Sequence, residues 1–523
     1  MDRNRMLDRA LSGEPWDVLV IGGGATGLGA AVDSVSRGYR TLLVEQHDFA
    51  KGTSSRSTKL VHGGVRYLRQ GNVALVIDAL RERGRMIRNA PHLVRDLSFV
   101  VPVYDWWEGP FYGIGLKLYD LLAGRAGIAP SKILSREETL EEIPTLEPDG
   151  LRGGVRYRDA QFDDARMAIA LARTAADLGG CLLNYCRVQD LAKENGLVRG
   201  AALVDVPNDR QFEVRARAVV NATGVFSDSI RRLDEPDAPP IMTASQGIHL
   251  VLDRSFLRSE SAILVPSTSD GRVLFAVPWL DVVVVGTTDT ATTRIDLEPR
   301  PLESEVSYLL EHIARYLTRD PRESDVLSVF AGLRPLVSSG EQETASISRD
   351  HTLVVSQSGL VTITGGKWTT YRAMAEDAID SAADTGDLPE RRSGTPELLI
   401  HGASEASDPD PYLAPYGFDA AAIRELISEQ PGLGDAVHPD LPFPMALVAW
   451  GVRHEMAQTV EDILARRTRG LFMNAAASSE AAPRVAALMA VELGKDESWI
   501  REQVDDFRRL AATYRLPGAI RAD

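Results

Sequence analysis

Hydrophobic and polar positions change period sharply near the start of the chain. The run DVLVI at 17–21 is continuous and β-branched, GGGATG at 22–27 interrupts it, and LGAAVDSVSR at 28–37 has the small-residue spacing of a packed helix. Gly38 stops that helix, and TLLVE at 41–45 is a second strand ending in a carboxylate. The strand-then-glycine pattern returns twice, in AVVNATG at 218–224 and LVTITGG at 360–366, the latter opening onto a helical pattern from Tyr371. Between these returns, 250–252, 273–277 and 282–285 read as strands of another sheet, with a turn at 278–281. A segment rich in Pro, Gly, Ser and Asp at 386–417 separates off a tail with helical patterns at 457–469 and 497–514.

At 523 residues and 44% hydrophobic, the chain is long enough for two or three cores. A net charge of −16 excludes a protein that works by coating nucleic acid, which needs a broad basic surface, so any anionic ligand must meet a local cationic site. The two cysteines, Cys181 and Cys186, match no metal-ligand spacing and read as reduced packing thiols. The first 16 residues lack the apolar core of a signal peptide, and no run approaches the ~20 apolar residues of a bilayer span. The expected location is therefore cytoplasmic, with any membrane contact made from the side.

Strand, glycine turn, helix and terminal acid together form a dinucleotide fingerprint. Gly22 permits the turn, Gly24 lets a pyrophosphate approach the backbone, and Gly27 lets helix and strand pack closely. The helix N-terminus supplies amides and dipole to the phosphates, and Glu45 is placed to accept from ribose hydroxyls. The fingerprint alone does not distinguish NAD from FAD. Three returns to one sheet favour a ligand the size of FAD, its phosphates at Gly22 to Gly27 and its ring near Gly365.

Six segments carry a resemblance: 17–45, TSSRSTKLVHGGVRYL at 53–68, NATG at 221–224, GTTD at 286–289, AGLRPL at 331–336 and GGKWTTYR at 365–372. Together they resemble the FAD-dependent glycerol-3-phosphate dehydrogenases, within the wider flavin oxidoreductases that include D-amino acid oxidase. The resemblance covers about the first 390 residues of the chain and continues more weakly beyond. It implies an α/β fold, with an FAD-binding Rossmann-like domain of the glutathione reductase and D-amino acid oxidase type. An interleaved antiparallel sheet would bind substrate, and a helical domain would follow. The expected division is 14–94, 155–235 and 340–390 for FAD, 95–154 and 236–339 for the substrate cap, and 391–523 for the helical domain.

The implied reaction is oxidation of sn-glycerol 3-phosphate to dihydroxyacetone phosphate, with hydride passing to the flavin and electrons to a membrane quinone. It needs cations for a phosphate, an acceptor for the hydroxyl proton and stabilisation of reduced flavin. Arg66, Arg334, Arg349 and Lys367 are the candidate cations. Arginine suits phosphate through its planar fork, and Arg334 sits in an apolar run between Gly332 and Pro335, a poor setting for a solvated side chain. Each could instead pair with a carboxylate. His249, alternating with apolar neighbours in SQGIHLVLD, is the candidate base, with a hydrogen-bonded core histidine as the alternative. Arg66, Arg334 and His249 are thus the candidate catalytic set, and Tyr67 either contacts substrate or packs.

The resemblance assigns Thr53, Ser54, Ser55, Ser57, Lys59, His62, Gly63 and Gly64 to noncovalently held FAD, with Ala222, Gly224, Gly365, Gly366, Lys367 and Thr369. In that reading the hydroxyls of 53–58, Thr58 included, serve the polar edge of the cofactor. Two surfaces are candidates for peripheral attachment at the cytoplasmic face of a membrane: the aromatic stretch 106–122, and the basic cluster Arg466, Arg467 and Arg469. A homodimer is left open. The rival functions are an oxidase passing electrons to oxygen, a flavoenzyme for another hydroxy or amino acid, and a flavin redox sensor without turnover.

Overall fold

The computed structural model describes residues 1–64, 73–105, 116, 117, 119, 122, 128–265, 273–337 and 351–517. Two large sheets organise them. In the first, Leu360–Gly365, Arg210–Asn221, Trp16–Ile21, Thr41–Val44 and Cys181–Leu183 lie side by side and parallel, with His351–Val355 antiparallel at one edge. Both faces of a parallel sheet are covered, which explains the unbroken apolar runs read from the sequence. The helix Ala25–Ser36 packs between Asp164–Asp177 and Tyr371–Thr385 on one face. Every strand that ends in the glycine pattern delivers its C-terminal end to the same edge.

The second sheet is mostly antiparallel. Its path runs Thr290–Thr292, Met242–Asp253, Val282–Gly286, Leu274–Trp279, Ala262–Val265, Val94–Val103, Gly153–Phe162 and Leu60–Val61. Val326–Val337 pairs along Met242–Asp253 and sets the register that matters for the site: Ser245 faces Arg334, Gly247 faces Gly332, and His249 faces Phe330. Because strand side chains alternate, all six point to one face. Gly153–Phe162 belongs to this sheet, where the expected division at 155 puts it with the first. It pairs with Val94–Val103 along its whole length before the chain crosses into Asp164–Asp177.

The tail carries a small hairpin, Ala436–His438 with Leu441–Pro444, and the helices Ala446–Glu455, Ala475–Leu493 and Glu497–Ala512. Its core is continuous with the second sheet, since Val251, Trp279 and Phe330 share one apolar cluster with Phe443, Phe472 and Phe507. The helix expected over 457–469 is instead a π-helical turn at Asp462–Arg467. Asp462 caps it from within, accepting from the backbone amides of Gln458 and Thr459, while the wider turn aims two arginines inward. That geometry overturns the lipid-facing reading of the basic cluster. Arg466, Arg467 and Arg469 are 2%, 1% and 1% exposed. Arg467 forks onto Asp48 at 2.7 and 2.9 Å, and Arg466 bonds Asp48 and Asp462 at 2.6 Å each. Most of the stretch 106–122 lies outside the described residues, and among the described residues no helix is long and apolar enough to cross a membrane.

Candidate functional site

Two clefts meet at the edge where the strands end. The first is bordered by Gly22, Gly24, Glu45, Thr53 and Ser54, by 222–224, and by 365–368. Glycine is required at its rim: a Cβ at Gly22, where φ is 112°, would lie 2.7 Å from the Ala222 carbonyl oxygen, and one at Gly27 would lie 1.9 Å from that of Gly22. Gly27 therefore sets the approach of helix to strand without bordering the cleft. Ser54 Oγ accepts from the Ala25 amide at 2.9 Å, tying the 53–55 turn to the helix N-terminus. Glu45 accepts from the Gly23 and His47 amides at 2.7 and 2.9 Å. Burial nevertheless outweighs those amides and raises its carboxyl pKa. His47, also on this wall, is pushed down to about 4 by burial and then by Lys51, so it stands neutral. This cradle, a glycine turn, an open helix N-terminus and an acid beyond it, fits a dinucleotide.

The second cleft shares Thr53, Pro335, Gly366, Lys367 and Trp368 with the first, so the two form one trough. Trp368 donates from Nε1 to the Ser54 carbonyl at 2.9 Å, which fixes the shared wall. The floor is the strand pair Met242–Asp253 and Val326–Val337, and its centre has no side chains because Gly247 faces Gly332. At one end stands His249, stacked on Phe330 with centroids 4.8 Å apart. At the other stands Arg334, whose Nη2 donates to the Thr288 carbonyl at 2.8 Å and to Thr287 Oγ1 at 3.0 Å, while Nη1 lies 3.3 Å from Asp289 Oδ1. A Cβ on Gly247 would come 2.3 Å from Arg334 Nη2, so the bare floor is what admits the guanidinium.

His249 Nε2 lies 2.9 Å from Thr58 Oγ1, and Nδ1 is buried without a hydrogen-bond partner among the described residues. Burial, then the Lys59 and Arg334 cations, hold the ring well below its usual pKa of 6.5, so it is neutral at neutral pH. Arg56, on the same wall, is held charged by Glu298, to which its Nη2 donates at 2.6 Å.

Residue by residue, the structure divides the sequence expectations. Glu45, Ser54, Ala222, Gly224 and Gly365 border the first cleft; Ser57, His62, His249, Arg334 and Thr369 border the second; Thr53, Gly366 and Lys367 border both. Ser55, Lys59, Gly63 and Gly64 border neither. The Lys59 amine turns inward, donating to Asp164 Oδ2 at 2.7 Å and to the Ser55 carbonyl at 2.9 Å. Gly63 packs against Leu80 and Tyr119, its amide donating to the Tyr119 hydroxyl at 2.8 Å, and Gly64 follows with φ 77°. Ser57 bonds Asp164 through both its amide and its hydroxyl. Thr58, on the wall of the second cleft, meets His249 Nε2. Arg66, Tyr67 and Arg349 lie outside the described residues.

Arg56 and the glycine pair are the parts of the second cleft that sequence reasoning missed, as is the pairing of Thr58 with His249. A glycine inside each of two strand patterns, at 247 and 332, was the available signal. Cys181 and Cys186 are buried with thiols pushed up to about 12 by burial, though Cys186 also touches the first cleft.

Comparison with known proteins decides the family. A family model described as FAD dependent oxidoreductase matches residues 17–372, and one described as the C-terminal domain of alpha-glycerophosphate oxidase matches 362–499. The human mitochondrial glycerol-3-phosphate dehydrogenase is 42% identical over 94% of this chain and 73% of its own. The chain belongs to the FAD-dependent glycerol-3-phosphate dehydrogenase family. The mitochondrial glycerol-3-phosphate dehydrogenase of Arabidopsis thaliana is 40% identical over 97% of this chain and 88% of its own. The solved glycerol-3-phosphate dehydrogenase of Bacillus halodurans, complexed with FAD, superposes with a TM-score of 0.77 at 30% identity, covering 98% of each chain. Family membership accounts for both halves of the trough: a dinucleotide cradle joined end to end with a small cationic pocket.

Proposed function

We propose that this protein oxidises sn-glycerol 3-phosphate to dihydroxyacetone phosphate, with FAD in the first cleft and the substrate on the glycine floor of the second. The observation that carries the reading is the floor itself, a side-chain-free patch with a neutral histidine at one end and a braced arginine at the other. Arg334 binds the phosphate, and its bonds to Thr287 and Thr288 fix the guanidinium before substrate arrives, so little ordering is left for binding. Arg66, Tyr67 and Arg349 are proposed as further substrate contacts, and Lys367 serves both ligands from the shared wall.

His249 takes the C2 hydroxyl proton at Nε2, the nitrogen now shared with Thr58. Arg334 is one of the cations that depress this imidazole, and a bound phosphate dianion offsets that charge, making the ring more basic when the substrate is in place. Bound FAD supplies the two-electron acceptor for the C2 hydride. Glu45 would hold its ribose, the glycine turn and the N-terminus of Ala25–Ser36 its pyrophosphate, and Trp368 walls the junction between cofactor and substrate. A membrane quinone is the acceptor we favour, reached by peripheral attachment; the relatives' names, dehydrogenase rather than oxidase, support this choice.

The test is turnover with sn-glycerol 3-phosphate and a soluble quinone, scoring dihydroxyacetone phosphate and hydrogen peroxide together. Ketone phosphate with quinone reduction and little peroxide is expected. Stoichiometric peroxide without need of quinone would make the protein an oxidase, and absence of the ketone would reject the reaction.

A further inference from the structure

Arg469 belongs to the tail, yet its side chain ends behind the wall of the second cleft. Its backbone is left-handed, with φ 67°, a conformation that a non-glycine residue adopts at a cost and keeps only where the surroundings hold it. What this conformation delivers is a guanidinium 2% exposed, lying 4.3 Å from the Phe472 ring centroid. Nη1 donates to the Ala465 carbonyl at 2.8 Å, and Nη2 donates to the Ser55 carbonyl at 2.8 Å and to Asp164 Oδ1 at 2.9 Å.

Asp164 is the hub. Its Oδ1 also accepts from the Ala165 amide at 2.9 Å. Its Oδ2 accepts from the Ser57 amide and hydroxyl at 2.9 and 2.7 Å and from the Lys59 amine at 2.7 Å. Lys59 and Arg469 thus grip the same two acceptors, the Ser55 carbonyl and Asp164, the latter through different oxygens. Between Ser55 and Lys59 stand Arg56, Ser57 and Thr58, which all border the cleft, Thr58 with its hydroxyl on His249 Nε2. Asp164, Lys59 and Arg469 touch neither cleft, but they fix Ser57, which borders the second, and both neighbours of Arg56 and Thr58.

We propose that Arg469 and Asp164 are positioning residues for the reactive pocket, through which the C-terminal domain holds the 55–59 segment so that Thr58 meets His249. The inference deepens the functional reading above and rests on its placement of His249 in the reactive pocket. It separates two roles that burial alone would merge, since a purely structural ion pair lowers stability without altering the chemistry of the molecules that remain folded.

The experiment compares Arg469→Gln and Arg469→Lys with Arg166→Lys as the control. Arg166 is also buried and ties the same helix to the tail through Glu455, at 2.8 Å for each fork bond, with its guanidinium on Glu455 rather than on 55–59. Two readouts are taken on FAD-loaded protein: the anaerobic rate of flavin reduction by sn-glycerol 3-phosphate per bound FAD, and the ring ¹⁵N shifts of His249, assigned with His249→Asn. Arg469→Gln should slow reduction roughly 10- to 100-fold, as expected for a small misplacement of a reacting group, and should shift the Nε2 resonance. Arg469→Lys should recover most of both, and Arg166→Lys should lower the melting temperature with both unchanged. Normal reduction and an unmoved Nε2 signal in Arg469→Gln overturn the proposal. If Arg469→Gln does not fold, Asp164→Asn takes its place under the same criteria, and if that also fails, Asp164→Glu, which keeps the charge but displaces both acceptor oxygens, is judged by them. If wild type is not reduced by this substrate at all, the functional reading fails, and the ¹⁵N comparison alone decides the positioning role.

Discussion

Gly247 shows how one missing side chain makes a site. Its backbone is ordinary strand, so conformation does not demand glycine there; the 2.3 Å between its would-be Cβ and Arg334 Nη2 does. Gly247→Ala should therefore keep FAD and fold while displacing the guanidinium, raising KM for sn-glycerol 3-phosphate roughly 10- to 100-fold in steady-state assays. Arg334→Ala removes the cation outright and should weaken the substrate by about 2 kcal/mol or more, with flavin content unchanged. Loss of flavin would reassign Arg334 to the cofactor. Arg334 and His249 were legible in the sequence because a charged and a titratable side chain each interrupt an apolar strand. Thr58 was not, because nothing in SSRSTK tells which hydroxyl faces the cofactor, the substrate pocket or a buried aspartate; that choice is made by Asp164, more than a hundred residues away.

At the scale of elements, the parallel strands were readable because burial on both faces writes itself as continuous apolar runs, and glycines mark their ends. The π-helical turn was not readable, since its arginines resemble any solvated basic face until Asp48 is brought beneath them. That buried network makes a stability prediction: Asp48→Asn leaves Arg466 and Arg467 short of a counterion and should cost about 3–5 kcal/mol, read as a fall in melting temperature. A second element-level device lies where the linker crosses Asp164–Asp177. Burial opposes protonation of His401, but Asp177 at 2.5 Å and Asp419 at 3.0 Å outweigh it and raise its pKa above 6.5. The folded state then binds the proton more tightly than the unfolded state. The stabilisation is complete below pH 6.5 and is lost as pH rises through the raised value. Melting temperature measured upward from pH 6 should fall by less in His401→Gln than in wild type.

The whole molecule joins a cofactor cradle on one sheet to a substrate floor on another, and the tail secures the segment between them through Asp48 and Asp164. In the proposed reading an acidic chain meets its anionic ligands locally: amides and a helix N-terminus serve the dinucleotide, and Arg334 with its neighbours serves a small phosphate ester. That central claim is tested most directly by adding sn-glycerol 3-phosphate, glycerol, lactate and amino acids separately to the FAD-loaded protein without oxygen, and following the flavin absorbance near 450 nm. Rapid bleaching by sn-glycerol 3-phosphate alone is the predicted result. A flavin that stays oxidised with sn-glycerol 3-phosphate but bleaches with lactate or an amino acid would contradict it.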